Sequence, residues 1–253
     1  MISDLQKASL WKRVSALLFD LILLVTMITG CSAGLSAALN YNQYNEALDG
    51  YYTKYEAEFD VTFDIPYEEY EAMSAEEKEK YDTAYEALAS DPHVTYAYGM
   101  LMSNTLLIIT FSILIAYLIL EFAIPLWLGN GQTLGKKIFG IAVMRTGGIK
   151  VTPVCLFIRT VLGKFTVETM IPVLMVLMLY FSTIGMVGLL ILVAVPLGQL
   201  ISLVVTRTNS AIHDLLADTV TVDFASQMIF TDEQARTDYL KKIAAQEAQK
   251  KSY

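Results

Sequence analysis

The sequence predicts an all-α polytopic membrane protein: four transmembrane helices, a small cytoplasmic β-hairpin and an acidic helical extracytoplasmic insertion. Three observations carry that class. Over 253 residues, 55% are hydrophobic and only 17% charged, with a mean hydropathy of +0.46. The apolar residues gather in runs able to cross a hydrocarbon layer of about 30 Å. The charges are segregated: residues 40–99 hold 15 Asp and Glu against 3 Lys and Arg, and the remainder holds 11 against 15. The net charge of −8 is therefore an average over two sides of a membrane, and nucleic acid is not an expected partner.

Residues 1–39 contain an interfacial segment and the first span. Leu5 to Lys12 places Trp11 and apolar groups beside Lys7 and Lys12, which suits the headgroup layer and holds the N-terminus inside. The span itself is expected from about Val14 to Leu39. Arg13 opens it and Asp20 sits within it; seven residues at about 100° each put both on one helix face, roughly 10 Å apart, too far for an easy direct ion pair. A carboxylate at that depth costs roughly 2.5 kcal/mol or more on insertion scales, so Asp20 should face protein or water. Ile28-Thr29-Gly30-Cys31 also has the form of a lipoprotein cleavage site, which would remove this span and lipidate Cys31; Asp20 inside the would-be signal argues against it. Cys31 and Cys155 are expected at opposite membrane faces, too far apart for a disulfide.

Residues 40–97 form the acidic insertion. Tyr41, Tyr44, Leu48, Tyr51 and Tyr55 recur at helical spacing, so the first helix is expected to run on past the lipid and break near Asp60. Pro66 can start a short helix, and Ser74-Ala75-Glu76-Glu77 has the capping-box order. The acidity reads either as cation recruitment to an outer mouth or as a solvated cap held outside by its charge.

Residues 98–128 hold the second span, from about Met100, with Glu121 and Pro125 near its inner end. Residues 129–164 make a cytoplasmic loop. In it Ile141 and Val143 alternate, Thr146-Gly147-Gly148 can turn and Ile149 to Thr152 can return, which predicts a β-hairpin. Pro153 to Phe165 carries Arg159 and Lys164 and reads as an amphipathic segment on the inner leaflet. Residues 165–206 suffice for two spans with a tight outer turn near Ser182 to Gly185. Residues 207–222 form a juxtamembrane motif whose Thr219 to Val222 has strand character and could add to the hairpin. Residues 223–253 are a mixed-charge tail, expected as a surface helix. Both termini then lie in the cytoplasm of a cell-membrane protein.

Depth brings the ionisable groups together. At 1.5 Å per residue, Asp20 lies about 9 Å inward from Val14, Glu121 about 10 Å back from Leu128 and Gln199 about 12 Å back from Arg207. Glu168 falls one turn shallower. Carboxylates in low dielectric either share protons or hold a cation through their oxygens, so a monovalent cation and a proton would compete for one site. Equally, Arg13, Asp20, Glu121 and Asp214 can form a satisfied polar network that locks helices without moving anything. Four spans make a thin path for one chain, so transport would call for a homo-oligomer or a membrane partner.

The remaining chemistry is sparse. Gly135-Lys136-Lys137 lacks the spacing of a phosphate loop. No zinc-type motif completes His213, Asp214 and Asp218, and Asp214 is expected to accept from Arg13, Arg207 or backbone amides. Serines lack a base at useful spacing, so neither an enzyme nor a cofactor or metal is expected. A competing class is an adaptor whose Lys136, Lys137, Arg145 and Lys150 face, with the tail, binds a partner.

Three motifs in order resemble the RDD family of bacterial membrane proteins. They are Arg13 with Asp20; Gly131-Gln132-Thr133-Leu134-Gly135-Lys136-Lys137 followed by Gly140-Ile141-Ala142-Val143; and His213-Asp214-Leu215-Leu216-Ala217-Asp218-Thr219-Val220. Arg13, Asp20 and Asp214 fit the arginine and two aspartates for which the family is named, and Arg159 fits a recurring basic position. The resemblance marks Gln132, Thr133, Gly135, Lys136, Arg159, His213 and Asp214 as a cytoplasmic motif. It implies a lipid-embedded protein in a family where some members are proposed to act as sodium/proton antiporters and most have no established molecular role. The insertion is longer than the family's usual link.

Overall fold

Runs of Leu, Ile, Val and Phe in lipid leave the backbone no polar partner but itself, and in the computed structural model, which describes residues 5–251, they are helical. The chain begins with α1 (Leu10–Ala38), α2 (Tyr41–Phe59), α3 (Tyr67–Ala72) and α4 (Ala75–Ser90), then a long α5 (Pro92–Leu128). A short α6 (Leu134–Ile138) leads into β1 (Ile141–Arg145). Next come α7 (Pro153–Tyr180), α8 (Met186–Val205), the short α9 (Ile212–Leu216), β2 (Thr219–Asp223) and α10 (Glu233–Lys251). Among the described residues α1, α5, α7 and α8 are the four helices long and apolar enough to cross a membrane. Nothing along α8 is buried by the chain itself, so lipid must cover it. The protein is a multi-pass membrane protein.

Contacts divide the chain into two units, one of residues up to Ile28 with those from Ile113 onward, the other Thr29–Ser112. In the second unit α1 stops at Ala38 instead of running to Asp60, because Asn40 takes a left-handed conformation (φ 52°) that an asparagine tolerates. The helix that follows does end at Asp60, also left-handed, whose N–H donates to the Glu56 carbonyl. Ser74 closes the expected capping box with Glu77 at the start of α4. Phe63 meets Tyr52, Tyr81 and Tyr85 edge-on and, with buried Ala84 and Leu88, gives this acidic unit a small aromatic core.

In the first unit the sheet corrects the expected hairpin. Strand β1 pairs antiparallel with β2, from Ile141 opposite Asp223 to Arg145 opposite Thr219, and not with Ile149 to Thr152. Gly148 (φ 80°) does turn the chain back, and Ile149 accepts from Arg145 N–H, but beyond a single bridge at Lys150 the returning segment exchanges backbone bonds with Phe230. Pro153, three residues after Lys150, then starts a helix. The β2 strand offers five residues in register, and its Val220 and Val222 close a core with Ala142 and Met144.

The third span also differs from expectation. It begins at Pro153, so the segment read as lying on the inner leaflet is the first half of α7. Likewise α1 starts at Leu10 and α5 at Pro92, each earlier than its apolar run alone indicated. The outer turn falls at Phe181 to Gly185 as expected. The α10 helix is largely solvent-exposed; the last two tail residues and the first four of the chain lie outside the described residues.

Candidate functional site

Two stretches of π-type winding, with i→i+5 bonding, bring ionisable groups face to face. In α5 the stretch is Leu118–Ala123 and carries Glu121; in α7 it is Ile158–Met170 and carries Arg159, Lys164 and Glu168. Wider turns free backbone carbonyls and re-aim side chains, and such winding recurs at functional sites. Here Thr160 Oγ1 in one stretch donates to the Glu121 carbonyl in the other at 2.9 Å.

Glu121 is buried, and one carboxylate oxygen meets Lys164 Nζ at 2.6 Å. Asp20 has no lysine or arginine within ion-pair distance among the described residues. It accepts instead from the Thr133 hydroxyl and, at 2.8 Å, from Gly135 N–H, at the first turn of α6. Gly135 is obligatory: a Cβ there would lie 2.5 Å from the Ala16 carbonyl oxygen and 2.9 Å from the Asp20 carboxyl. Thr133 also caps α6, and Gln132 donates to the Ile141 carbonyl at 2.7 Å, so the Gln-Thr-Leu-Gly segment docks α6 on both α1 and β1.

Arg13 does not meet Asp20. Its guanidinium donates to the Asn209 carbonyl at 2.9 Å and the Thr221 carbonyl at 2.6 Å, tying α1 to β2. The partner of Asp214 is Arg159, at 3.0 Å, not Arg13, which corrects the expectation from sequence. Thr219 Oγ1 adds a second donor at 2.9 Å. Burial alone would raise the Asp214 carboxyl, but Arg159, His213 and the Thr219 hydroxyl hold it down at about 2.

Arg159 also donates to His213 Nε2 at 3.0 Å, so that nitrogen is the acceptor and Nδ1–H donates to Glu168 at 2.8 Å. The ring is therefore neutral, and burial, assisted by Arg159, pushes its pKa down against the pull of Asp214 and Glu168. Glu168 accepts the His213 backbone N–H as well. Gly163 permits this approach, since a Cβ would stand 2.5 Å from the His213 Cβ. Gln199 accepts from Ile212 N–H at 3.0 Å and sets the start of α9.

These groups surround a cavity of about 190 Å³. Asp20, Glu121 and Gln199, placed at one level by the depth argument, all line it, together with Arg13, Lys136, Arg159, His213 and Asp214. Glu168, Gln132, Thr133 and Gly135 stand behind the wall as supports. A separate void of about 10 Å³, room for one water-sized body, lies between Asp20 and Glu121 against Leu23, Leu24, Leu120 and Leu134. Sequence reasoning missed Lys164, Thr160 and Gly163. At ordinary helical pitch the signal was hidden: Arg159, Lys164 and Glu168 are spaced five and four apart, which at about 100° per residue sets Arg159 and Glu168 on opposite faces, and the wider π-type winding is what lines them up.

No curated protein and no solved structure matches this chain. The RDD family profile matches it over residues 7–218, which takes in the Arg13/Asp20 pair, the Gln132–Lys136 segment, Arg159 and Asp214. With a match that spans most of its length, the chain belongs to the RDD family.

Proposed function

We propose that this protein exchanges a small monovalent cation, sodium foremost, for protons through the cavity at Asp20 and Glu121. One observation carries the reading: Asp20 and Glu121 line a half-open cavity of about 190 Å³ at the ends of the apolar spans, and Asp20 is held only by neutral donors. A carboxylate in low dielectric without a fixed cationic partner gains most from a mobile one. The same reading sets the chain in the cell membrane with both termini cytoplasmic. Along the chain Lys7, Lys12, Lys136, Lys137 and Arg207 fall before α1, after α5 and after α8, the pattern of cytoplasmic segments, whereas the acid-rich insertion falls between α1 and α5.

The Arg159–Asp214 pair and the His213–Glu168 bonds favour a second, structural task for the His213 and Asp214 side of the cluster. Buried and mutually bonded, they brace α7 against α9 and β2 and give the cavity a fixed wall.

The test is flux in proteoliposomes holding the purified full chain, with a pH-sensitive dye inside. A sodium gradient should drive proton movement, and Asp20→Asn and Glu121→Gln should each lower the rate by at least about tenfold. No sodium- or pH-dependent signal from the wild type, or an unchanged Asp20→Asn, would sink exchange. Tolerance of both substitutions combined with sensitivity at Lys137 or Lys150 would point instead to an adaptor.

A further inference from the structure

The two lysines in the cavity wall differ in how they are held. Lys164 is locked onto Glu121 at 2.6 Å. Lys136 touches no carboxylate: among the described residues its ammonium reaches only the Thr133 hydroxyl, at 3.4 Å, and that hydroxyl is already committed to Asp20. A flexible four-carbon stem thus carries a positive charge into the cavity that Asp20 and Glu121 line, without pinning it to either.

We infer that Lys136 is a tethered cation, competing with the transported ion for the Asp20 and Glu121 end of the cavity, and that its proton is the one exchanged. The inference rests on the exchange reading above and names the coupling group within it.

Charge balance supports it. Arg13, Lys136, Arg159 and Lys164 face Asp20, Glu121 and Asp214, with Glu168 directly behind on a neutral His213, so positive and negative groups match. When Lys136 Nζ gives its proton to cavity water, the set is one positive charge short, and one monovalent cation restores it. Reprotonation of Nζ restores the tethered charge and expels the ion. Each cycle moves one proton against one cation, and no net charge crosses the membrane.

The environment sets the working range. Burial, with repulsion from Lys164 and Arg159, pushes the Lys136 ammonium down to about 8 against the pull of Glu121 and Asp20. Below that pH the tethered charge fills the site; above it the free ion enters, so exchange should rise through pH 8.

Two measurements on the full chain decide the point. In proteoliposomes, Lys136→Gln should still take up sodium-22 while its proton counterflow falls at least about tenfold, and Lys136→Arg, a charge that does not titrate, should lose both. Proton counterflow in Lys136→Gln within twofold of the wild type would overturn the inference. In detergent, NMR of ¹³C-lysine-labelled protein, assigned by the signal missing from Lys136→Arg, should show sodium chloride lowering the Lys136 titration midpoint by about one pH unit relative to choline chloride. This second readout needs no transport. A wild type that carries no sodium defeats the exchange reading, and a midpoint indifferent to sodium defeats the coupling role of Lys136.

Discussion

Two ion pairs of nearly equal length sit in the two units of this protein. Arg159–Asp214 spans 3.0 Å with its side chains 3% and 6% exposed; Lys80–Asp60 spans 2.9 Å with 46% and 96% exposed. The difference lies in what water does to each. In the insertion, solvent screens the pair. In the polar cluster burial strips bulk solvent from the side chains, so the acids need named donors, and Asp20, Glu121, Glu168 and Asp214 each have one or more. Where an acid of the insertion accepts a bond, as Glu77 does from Ser74, it does so at the surface, whereas the acids of the cluster are bonded in a buried setting.

Breaking the buried pair should produce the largest effect. Arg159→Leu leaves Asp214 charged and removes the donor to His213, at a cost of about 3–5 kcal/mol. Thermal unfolding in detergent followed by size exclusion would show it, and a melting temperature equal to the wild type would refute the brace. The double variant Arg159→Leu with Asp214→Leu sharpens the comparison, because it should lose less than Arg159→Leu alone.

Acid titration gives a smaller, signed effect. Asp214 titrates at about 2 in the folded chain against an ordinary 3.8. Its contribution is therefore complete above about pH 4 and vanishes as pH falls toward 2, worth roughly 2 kcal/mol in all. The melting temperature of the wild type should fall over that window more steeply than that of Asp214→Asn. Equal slopes would mean that Asp214 does not supply the acid sensitivity.

The same contrast explains what was legible beforehand. Local signals transmitted well: four apolar runs, the capping box at Ser74, and the three RDD motifs, whose spacing survives without any tertiary information. The depth argument for Asp20, Glu121 and Gln199 agrees with the cavity they share, because helical rise is a local quantity. Pairings between distant segments did not transmit. Alternation at Ile141 and Val143 announces a strand but cannot name its partner, and the nearby Ile149 segment was a closer candidate than Thr219 to Asp223. Arg159 and Lys164 disguised the start of α7: ionisable groups in an apolar run look interfacial until the protein wall they face is known. The Asp214 partner was missed for the same reason. With Arg159 assigned to the leaflet surface, Arg13 seemed the nearer guanidinium, whereas its two terminal nitrogens donate to the Asn209 and Thr221 carbonyls.

The smallest expected effect lies at the exposed pair. The Lys80 hydrogen bond and charge hold the Asp60 carboxyl below its ordinary value, which would count as stabilisation if the two were dry. They are not: Asp60 is almost wholly in water, and its structural duty is done by its backbone, whose N–H donates to Glu56 at the end of α2. Lys80→Gln should therefore leave the melting temperature within experimental error at physiological salt, and raising the salt should not separate it from the wild type. A measurable drop in Lys80→Gln would show that acids of the insertion are held by specific partners as those of the cluster are, and the distinction drawn between the two units would fail at its exposed end.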